Sequence, residues 1–472
     1  MWIICGGVTL LLLALSARYG FYRDELYFIV AGRRLDWGFV DQPPLTPFIA
    51  GALDALPGQI TPTVLRILPA IATGAVALIA ALLARRFGGS QLAMALAAAA
   101  VGGSSMMLIL GHLLTTQTVE IFLSALLILG VARLLDGADL REWLWVGLIA
   151  GLAGMNKLTV VGIIAALAVG ILLSPGRRVL FSWWAVAAGG LALLVVFPTL
   201  LWQAANGWPQ LEMAAAIQER YGRLEFARGQ LSLLSVILVI PAFAGWLRLL
   251  RIQEGRWRAF PFAAVITVAA YLIIGGQSYY AAPMYIPLLA AGACWVATLK
   301  LWPRAIIVTI CVFVMGFFAF TRLPLFPEDE LPDPSQFTLI ETIGWPEMVD
   351  QVAAVVETLP EDQREEAAIV TGNYGEASAL LVLGEDMDLP PVVSGVNNFG
   401  LWGPPEPDRN GPIVAVGGAV DQLTEFCPDM FEVDRIQNDA GVANGEQGQP
   451  IAVCPALDVT LATIWPELRF YG

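Results

Sequence analysis

Acidic side chains beside apolar stretches are the residues of this sequence best suited to chemistry. Asp24 and Glu25 stand together in YRDELYF (22–28), just after a first apolar segment. A partly desolvated carboxylate holds its proton more tightly and can serve as a general base. The plainer reading of the pair is an acidic first turn that favours a helix dipole. Asp41 precedes Gln42-Pro43-Pro44-Leu45, where tandem prolines hold the chain extended, so the acid is either rigidly presented or a turn cap. Glu120 lies in HLLTTQTVEIF (112–122), about one turn inside an apolar helix, where an ionisable group is a functional candidate by default. Its alternative is pairing with a nearby arginine.

Cations and phenols accompany these acids. Lys157 in GMNKLTV (154–160) can neutralise a phosphate or pair with a carboxylate, against simple snorkelling to an interface. Arg18, Arg23, Arg33 and Arg34 cluster around the long loop 19–63, an excess that suggests a bound anion. Gln277, Tyr279, Tyr280 and Tyr285 surround GGQSYYAAPMY, where tyrosine is otherwise an interface anchor. His112 is the sole histidine and reads as structural. A His-rich metal site and a Ser-His-Asp triad in the soluble part are therefore excluded. No nucleotide-binding glycine fingerprint appears.

Composition specifies the scaffold. Of 472 residues, 57% are hydrophobic and 14% charged, against roughly 25% charged in soluble domains; mean hydropathy is +0.69. Eleven apolar segments approach the length of a bilayer crossing: 2–18, 64–84, 91–110, 117–134, 143–156, 158–173, 181–202, 231–249, 259–275, 283–299 and 303–320. The first lacks a small-residue cleavage site and reads as a membrane helix. Segments 143–156 and 158–173 are parted only by Asn156-Lys157, as two short helices or one broken one. Arg85-Arg86, Arg133 with Arg141, Arg177-Arg178, Arg248 through Arg258, and Lys300 with Arg304 fall on every second connection. Short cytoplasmic loops concentrate such charges, which puts these loops and the N-terminus inside. The connections 19–63, 111–116, 156–157, 203–230 and 276–282 then face outward, as does everything after residue 321. The candidate residues thus share the outer side of the bilayer. Loop 203–230 suits a helix lying on the membrane surface.

Charge also divides the chain. Residues 1–321 balance to +8 and residues 322–472 to −22. An acidic segment without lysine suits neither nucleic acid nor anionic lipid. The expected division is a transmembrane module 1–321, an acidic linker 322–344 with Pro324, Pro327, Pro332 and Pro334, and a soluble α/β domain 345–472. In that domain, 345–359 and 375–384 read as helices, and 366–371, 412–417 and 450–455 as strands. Cys5, Cys294 and Cys311 read as buried apolar residues. Cys427 and Cys454 are the only pair in the acidic domain, open to disulfide formation in an oxidising compartment.

The motifs YRDELYFIVAGRRLDWGFVDQPPL (22–45), HLLTTQTVEIF, GLAGMNKLTVVG, PTLLWQAANGWPQLEM (198–213) and SYYAAPMYIPLLAAGA (278–293) together resemble a known family. They look like the bacterial, dolichyl-phosphate-mannose–protein mannosyltransferase-like enzymes of glycosyltransferase family 39, in the GT-C superfamily. In the tail, TGNYGEASAL (371–380) and LPPVVSGVNNFGLWGPP (389–405) are similar to the extracytoplasmic domain of the same group and speak to subfamily, not chemistry. The resemblance implies a bacterial inner-membrane glycosyltransferase with a periplasmic C-terminal domain. It would pass a sugar from a polyprenyl-phosphate donor to a hydroxyl of protein, lipid A or another envelope glycan, with inversion. Asp24, Glu25 and Glu120 match catalytic positions. Asp41, Gln42, Lys157, Gln277, Tyr279, Tyr280 and the loop arginines match the donor side. Gln42 stands where aminoarabinose transferases of lipid A carry Lys, and Gln277 where Lys is common, so Arg23, Arg33 or Arg34 would compensate. Asn397, Asn398, Phe399 and Trp402 are assigned to acceptor contact, against a merely capping role. No cofactor is required, although some relatives use a divalent metal such as Mg or Mn. The competing class is a flippase of lipid-linked saccharides. Charges near the outer helix ends and the lack of internal repeats speak against it, and eleven spans speak against a simple anchored sensor.

Overall fold

In an apolar solvent every backbone N–H and C=O must be paired within the chain, so a chain of this composition has helices as its main option. The computed structural model describes residues 1–220, 222–252, 255–331, 337–404 and 411–471. Pro332 and Pro334 of the expected linker lie outside the described residues. Among the described residues sixteen α-helices precede residue 323: α1 (Trp2–Leu15), α2 (Arg23–Arg33), α3 (Leu45–Asp54), α4 (Pro62–Arg86), α5 (Gln91–Gly102), α6 (Ser105–Leu110), α7 (Thr116–Leu135), α8 (Trp143–Gly154), α9 (Val160–Leu172), α10 (Trp183–Ala205), α11 (Pro209–Arg220), α12 (Arg223–Leu233), α13 (Val239–Arg251), α14 (Ala259–Ile274), α15 (Tyr285–Thr298) and α16 (Leu301–Arg322).

All eleven expected segments fall on helices. Among the described residues six are long and apolar enough to cross a bilayer by length and composition, namely α4, α7, α10, α14, α15 and α16 with their flanking turns. The other five are shorter or broken, each for a local reason. Segment 91–110 divides at Gly103, where Ser104 Oγ caps α6 by accepting the Met107 N–H at 3.4 Å. Segment 231–249 divides around Ser235 and Val236, both left-handed at φ 49° and 54°. Segments 143–156 and 158–173 are two helices, α8 and α9, joined by a turn at 155–159. Loop 203–230 is helical as α11 and the start of α12.

The chain forms two compact units. The helical unit comprises Met1–Ser16, Gln42–Thr46 and Thr63–Leu323; the other comprises Ala17–Asp41, Pro47–Pro62 and Pro324–Gly472. In this division most of the first long loop groups with the acidic tail. Within the helical unit, neighbours meet through small residues, as is usual where backbones must approach closely. A Cβ at Gly245 of α13 would strike the Leu288 carbonyl of α15, and one at Gly292 of α15 would strike the Pro241 carbonyl of α13.

The second unit holds α17 (Phe337–Ile340), α18 (Trp345–Glu357), α19 (Glu361–Glu366), α20 (Tyr374–Leu383), α21 (Asn397–Trp402), α22 (Ala419–Leu423) and α23 (Leu461–Leu468). Its sheet has five strands: β1 (Ala368–Thr371), β2 (Val392–Ser394), β3 (Ile413–Val416), β4 (Phe431–Arg435) and β5 (Pro450–Cys454). The order is β2-β1-β3-β5-β4. β1 runs parallel to β2 and β3, and β5 antiparallel to β3 and β4. The apolar strands β1, β3 and β5 are the three legible in the sequence. β2 has only three residues and β4 is exposed along its length, so neither carries an apolar run. Cys427 and Cys454 form a disulfide across 27 positions, buried among Leu423, Leu457 and Leu461. Alkylation of the unfolded chain should block Cys5, Cys294 and Cys311 at once and the other two only after reduction. Cys454→Ala should destabilise this unit by about 3 kcal/mol, seen as a lower Tm of the full-length protein.

Candidate active site

In the second unit the site begins with the N-terminus of α2. Glu25 is fully buried, and its Oε2 accepts the Tyr22 N–H at 2.9 Å. This reciprocal cap satisfies an orphan donor of the first turn. Glu25 thus closes the first turn of α2 beside Asp24. Asp24 keeps 26% of its side chain exposed. Tyr374 Oη donates to Asp24 Oδ1 at 2.8 Å, and Arg23 Nε lies 3.8 Å from the same oxygen.

Arg23 is enclosed. Its guanidinium stands over Phe337 and Tyr374, with ring centroids at 4.9 and 5.5 Å, and its Nη1 is 3.7 Å from the buried Glu341. Asp41 accepts from Tyr27 Oη at 3.0 Å. Burial, with the nearby Asp24 adding to it, pushes the Asp41 carboxyl up to about 7. Burial also holds the Tyr27 and Tyr374 phenols well above their usual range, so both remain donors.

Tyr374 is the residue that sequence reasoning missed. Its motif, TGNYGEASAL, reads in the sequence as a subfamily mark. In the structure it is a capping box: Asn373 Oδ1 accepts the Gly375 and Glu376 N–H groups at 2.8 and 3.0 Å, while Glu376 Oε2 accepts the Asn373 N–H at 3.2 Å. The Asn-x-x-Glu spacing was the available signal. It sets the first turn of α20, from which Tyr374 reaches Asp24. Gly375 has a reason too, since a Cβ there would lie 3.2 Å from Arg23 Cβ.

The four tail residues expected to touch an acceptor are used inside this unit. Asn398 Oδ1 accepts the Val40 N–H at 2.9 Å, and Phe399 packs 6.2 Å from the Tyr27 ring and 4.8 Å from Trp402. Asn397 begins α21 at φ 51° and donates its N–H to the Phe470 carbonyl. Arg34 lies over the Trp402 ring at 4.8 Å. These side chains hold the first loop against the tail rather than presenting a ligand surface. Arg33 is likewise spent, forked onto Asp54 at 2.8 and 3.1 Å and bonded to Glu385 at 3.0 Å. Of the three arginines proposed as compensating cations, Arg23 and Arg33 already face carboxylates.

In the helical unit the motif HLLTTQTVEIF builds the first turn of α7. Thr115 caps it by accepting the Thr118 N–H at 3.2 Å, and Gln117 Nε2 donates to Tyr279 Oη at 2.9 Å. Glu120 is buried. It accepts from Thr159 Oγ1 at 2.5 Å and lies 3.9 Å from Lys157 Nζ. The ammonium sits over Tyr279 and Tyr280, with centroids at 4.9 and 5.0 Å, and the Lys157 side chain is 17% exposed. Lys157 is therefore held as a point charge by one carboxylate and two ring faces. Asn156, fully buried, accepts from Thr46 Oγ1 at 2.7 Å and donates to the Thr116 carbonyl at 2.8 Å. With Leu45 N–H bonded to the Met155 carbonyl at 2.9 Å, this docks the Gln42–Thr46 segment on the ends of α7 and α8. Gln42 is buried with its Nε2 unpartnered, and Gln277 is partly buried ahead of the Ser278–Met284 turn. His112 is buried. Among the described residues no three of His, Cys, Asp and Glu gather as a metal-binding set.

Asp41 supplies a stability test. Its folded-state affinity for a proton exceeds that of the unfolded chain, so it costs stability as pH rises from the ordinary carboxylate range to about 7, and the full cost persists above. Asp41→Asn should match wild-type Tm near the acid end of that window and exceed it at pH 8. An equal Tm difference at both pH values would remove the shift.

Residues 41–202 match the profile of the dolichyl-phosphate-mannose-protein mannosyltransferase family. Among characterised proteins, the chain is 23% identical over 356 residues to the lipid A galacturonosyltransferase RgtD of Rhizobium johnstonii, covering 71% of this chain and 72% of that one. Among solved structures it resembles apo ArnT from Cupriavidus metallidurans, with a TM-score of 0.64, 14% identity and 98% of each chain covered. ArnT bound to undecaprenyl phosphate superposes with a TM-score of 0.61 at 15% identity, over 97% of this chain and 98% of that one.

Proposed function

We propose that this chain is a GT-C-type, mannosyltransferase-related integral membrane glycosyltransferase, a reading supported by the family match over residues 41–202, the lipid A galacturonosyltransferase relative and the ArnT-like fold. It moves a sugar from a polyprenyl-phosphate donor to a hydroxyl acceptor. The transfer takes place on the periplasmic side, with the N-terminus cytoplasmic, and the acceptor is a lipid A, protein or other envelope glycan hydroxyl. The lipid A relative and the undecaprenyl-phosphate-bound fold neighbour support the donor and acceptor classes. The observation that carries the reaction type is Asp24, an oriented and partly exposed carboxylate with a phenol donor on one oxygen.

The steps follow from charge. Asp24 takes the proton of the acceptor hydroxyl as its oxygen attacks the anomeric carbon. The bond from that carbon to the phosphate oxygen breaks on the opposite face, which inverts the centre and releases polyprenyl phosphate. Lys157, held by Glu120, Tyr279 and Tyr280, stabilises the negative charge on the departing phosphate. Asp41, a neutral carboxyl below pH about 7, donates a hydrogen bond to the donor headgroup instead of repelling it.

The test is transfer of radiolabelled sugar from a panel of undecaprenyl-phosphate sugars to cell-envelope acceptors by purified protein in lipid. Wild type should transfer label, and Asp24→Asn should abolish transfer while expression and membrane insertion stay normal. Tyr374→Phe should retain the fold and lose about tenfold to a hundredfold in turnover, with the acid limb of its pH–rate profile moved upward because the ionised base has lost a donor. Retained activity in Asp24→Asn would remove Asp24 from the mechanism. Donor binding without transfer to any acceptor by wild type would favour a flippase.

A further inference from the structure

A second ligand site lies in the helical unit, at the end of the bundle away from Glu120 and Lys157. That end is marked by the C-terminus of α7 and by arginines already matched to carboxylates. Arg86 and Arg256 both meet Asp136, at 2.8 and 2.9 Å, and Arg133 pairs with Glu142. Beside them the outer face of α13 and the last turns of α15 bound a cavity of about 780 Å³. Its wall is apolar, with Ile240, Phe243, Leu247 and Trp295, and it ends on Arg248 and Arg251.

Unlike Arg86, Arg133 and Arg256, the two groove arginines meet no carboxylate among the described residues. Arg248 reaches the Phe87 carbonyl, at 3.3 Å, and among the described residues its buried Nε has no partner. Arg251 is exposed and meets no carboxylate among the described residues. A guanidinium at the rim of a hydrocarbon phase without an anion is costly, and an anionic ligand relieves that cost. Meanwhile Ile240 and Phe243 are 55% and 58% exposed, an apolar surface suited to hydrocarbon. Apolar wall and cationic end are one turn apart on one helix, the spacing of an acyl chain and its phosphate. Gly245 and Gly292 keep α13 and α15 in close contact, so the groove is a fixed feature of that helix pair.

We propose that this groove is a binding site for an anionic diacyl phospholipid, its acyl chain along Ile240, Phe243 and Trp295 and its phosphate on Arg248 and Arg251. It is separate from the donor site proposed above and depends only on the chain lying in a bilayer. A neutral phospholipid lacks net charge for the arginines.

Full-length protein in detergent is titrated with phosphatidylglycerol or phosphatidylcholine, and bound lipid is counted by native mass spectrometry. Phosphatidylglycerol should be retained preferentially. Each arginine contributes roughly fivefold, so Arg248→Gln with Arg251→Gln should weaken retention about thirtyfold. Arg251→Gln alone, on an exposed side chain where folding is not at stake, should weaken it about fivefold. Arg177→Gln with Arg178→Gln, basic but outside the groove, should change nothing. Equal retention of both lipids, full retention by the double variant, or displacement of phosphatidylglycerol by equimolar undecaprenyl phosphate would each overturn the assignment.

Discussion

A carboxylate acts as a base only where its orientation is fixed and its charge is not neutralised by a close cation. The hydrogen bond from Tyr374 Oη to Asp24 Oδ1 meets both conditions. It joins the first turn of α2 to the first turn of α20, two helix starts each closed by its own glutamate. Glu25 closes one and Glu376 the other. The phenol is a donor that burial keeps protonated, so it orients the carboxylate without cancelling its charge. Arg23 also pairs with Asp24, at 3.8 Å, but divides its charge between that carboxylate, Glu341 and two aromatic faces, so it compensates Asp24 only in part. The acidic tail thereby contributes more than a cover, because three of the groups that set the environment of Asp24 lie after residue 323.

The helical unit solves the opposite problem, a cation beside hydrocarbon. Lys157 is not left to snorkel. Glu120 and two tyrosine faces hold it, and those partners are themselves tied by Gln117 and Thr159. An ammonium shared between a carboxylate at 3.9 Å and ring quadrupoles retains capacity for another anion, as a bidentate ion pair would not. The same logic separates the arginines of this protein. Arg33, locked between Asp54 and Glu385, has a structural task, whereas the arginines along the α13 groove meet no carboxylate among the described residues.

Motifs were easier to notice in the sequence than to interpret. YRDELYF announced a carboxylate pair but did not divide the labour, because capping depends on which acid falls at the third helical position and turns inward. NNFGLW looked like a display of sugar-binding groups, since amides and aromatics are what such sites use. The same groups also bond backbone and pack rings, and here Asn398 and Phe399 do that for Val40 and Tyr27. TGNYGE was passed over because its residues are ordinary; only the partner found 350 positions earlier gives Tyr374 a role. Strands β2 and β4 escaped notice because a strand without an apolar run has no periodic signal.

The sequence by itself determined the properties that are sums over local composition. These are the eleven helical segments, which follow from apolar length, and the abrupt acidity of the tail. They also include the presence near helix ends of acids, one lysine and tyrosines suited to phosphate-linked chemistry. Only the tertiary structure decided which of them is bound to what. It assigned the loop 17–41 to the tail's compact unit, made Glu25 a cap, took Arg33 out of the cationic set and joined Cys427 to Cys454. The physical reason is range. Hydrophobic periodicity acts over a helical turn and is written in neighbouring letters, whereas a hydrogen bond or ion pair forms between side chains whose separation along the chain is unconstrained until the chain has folded.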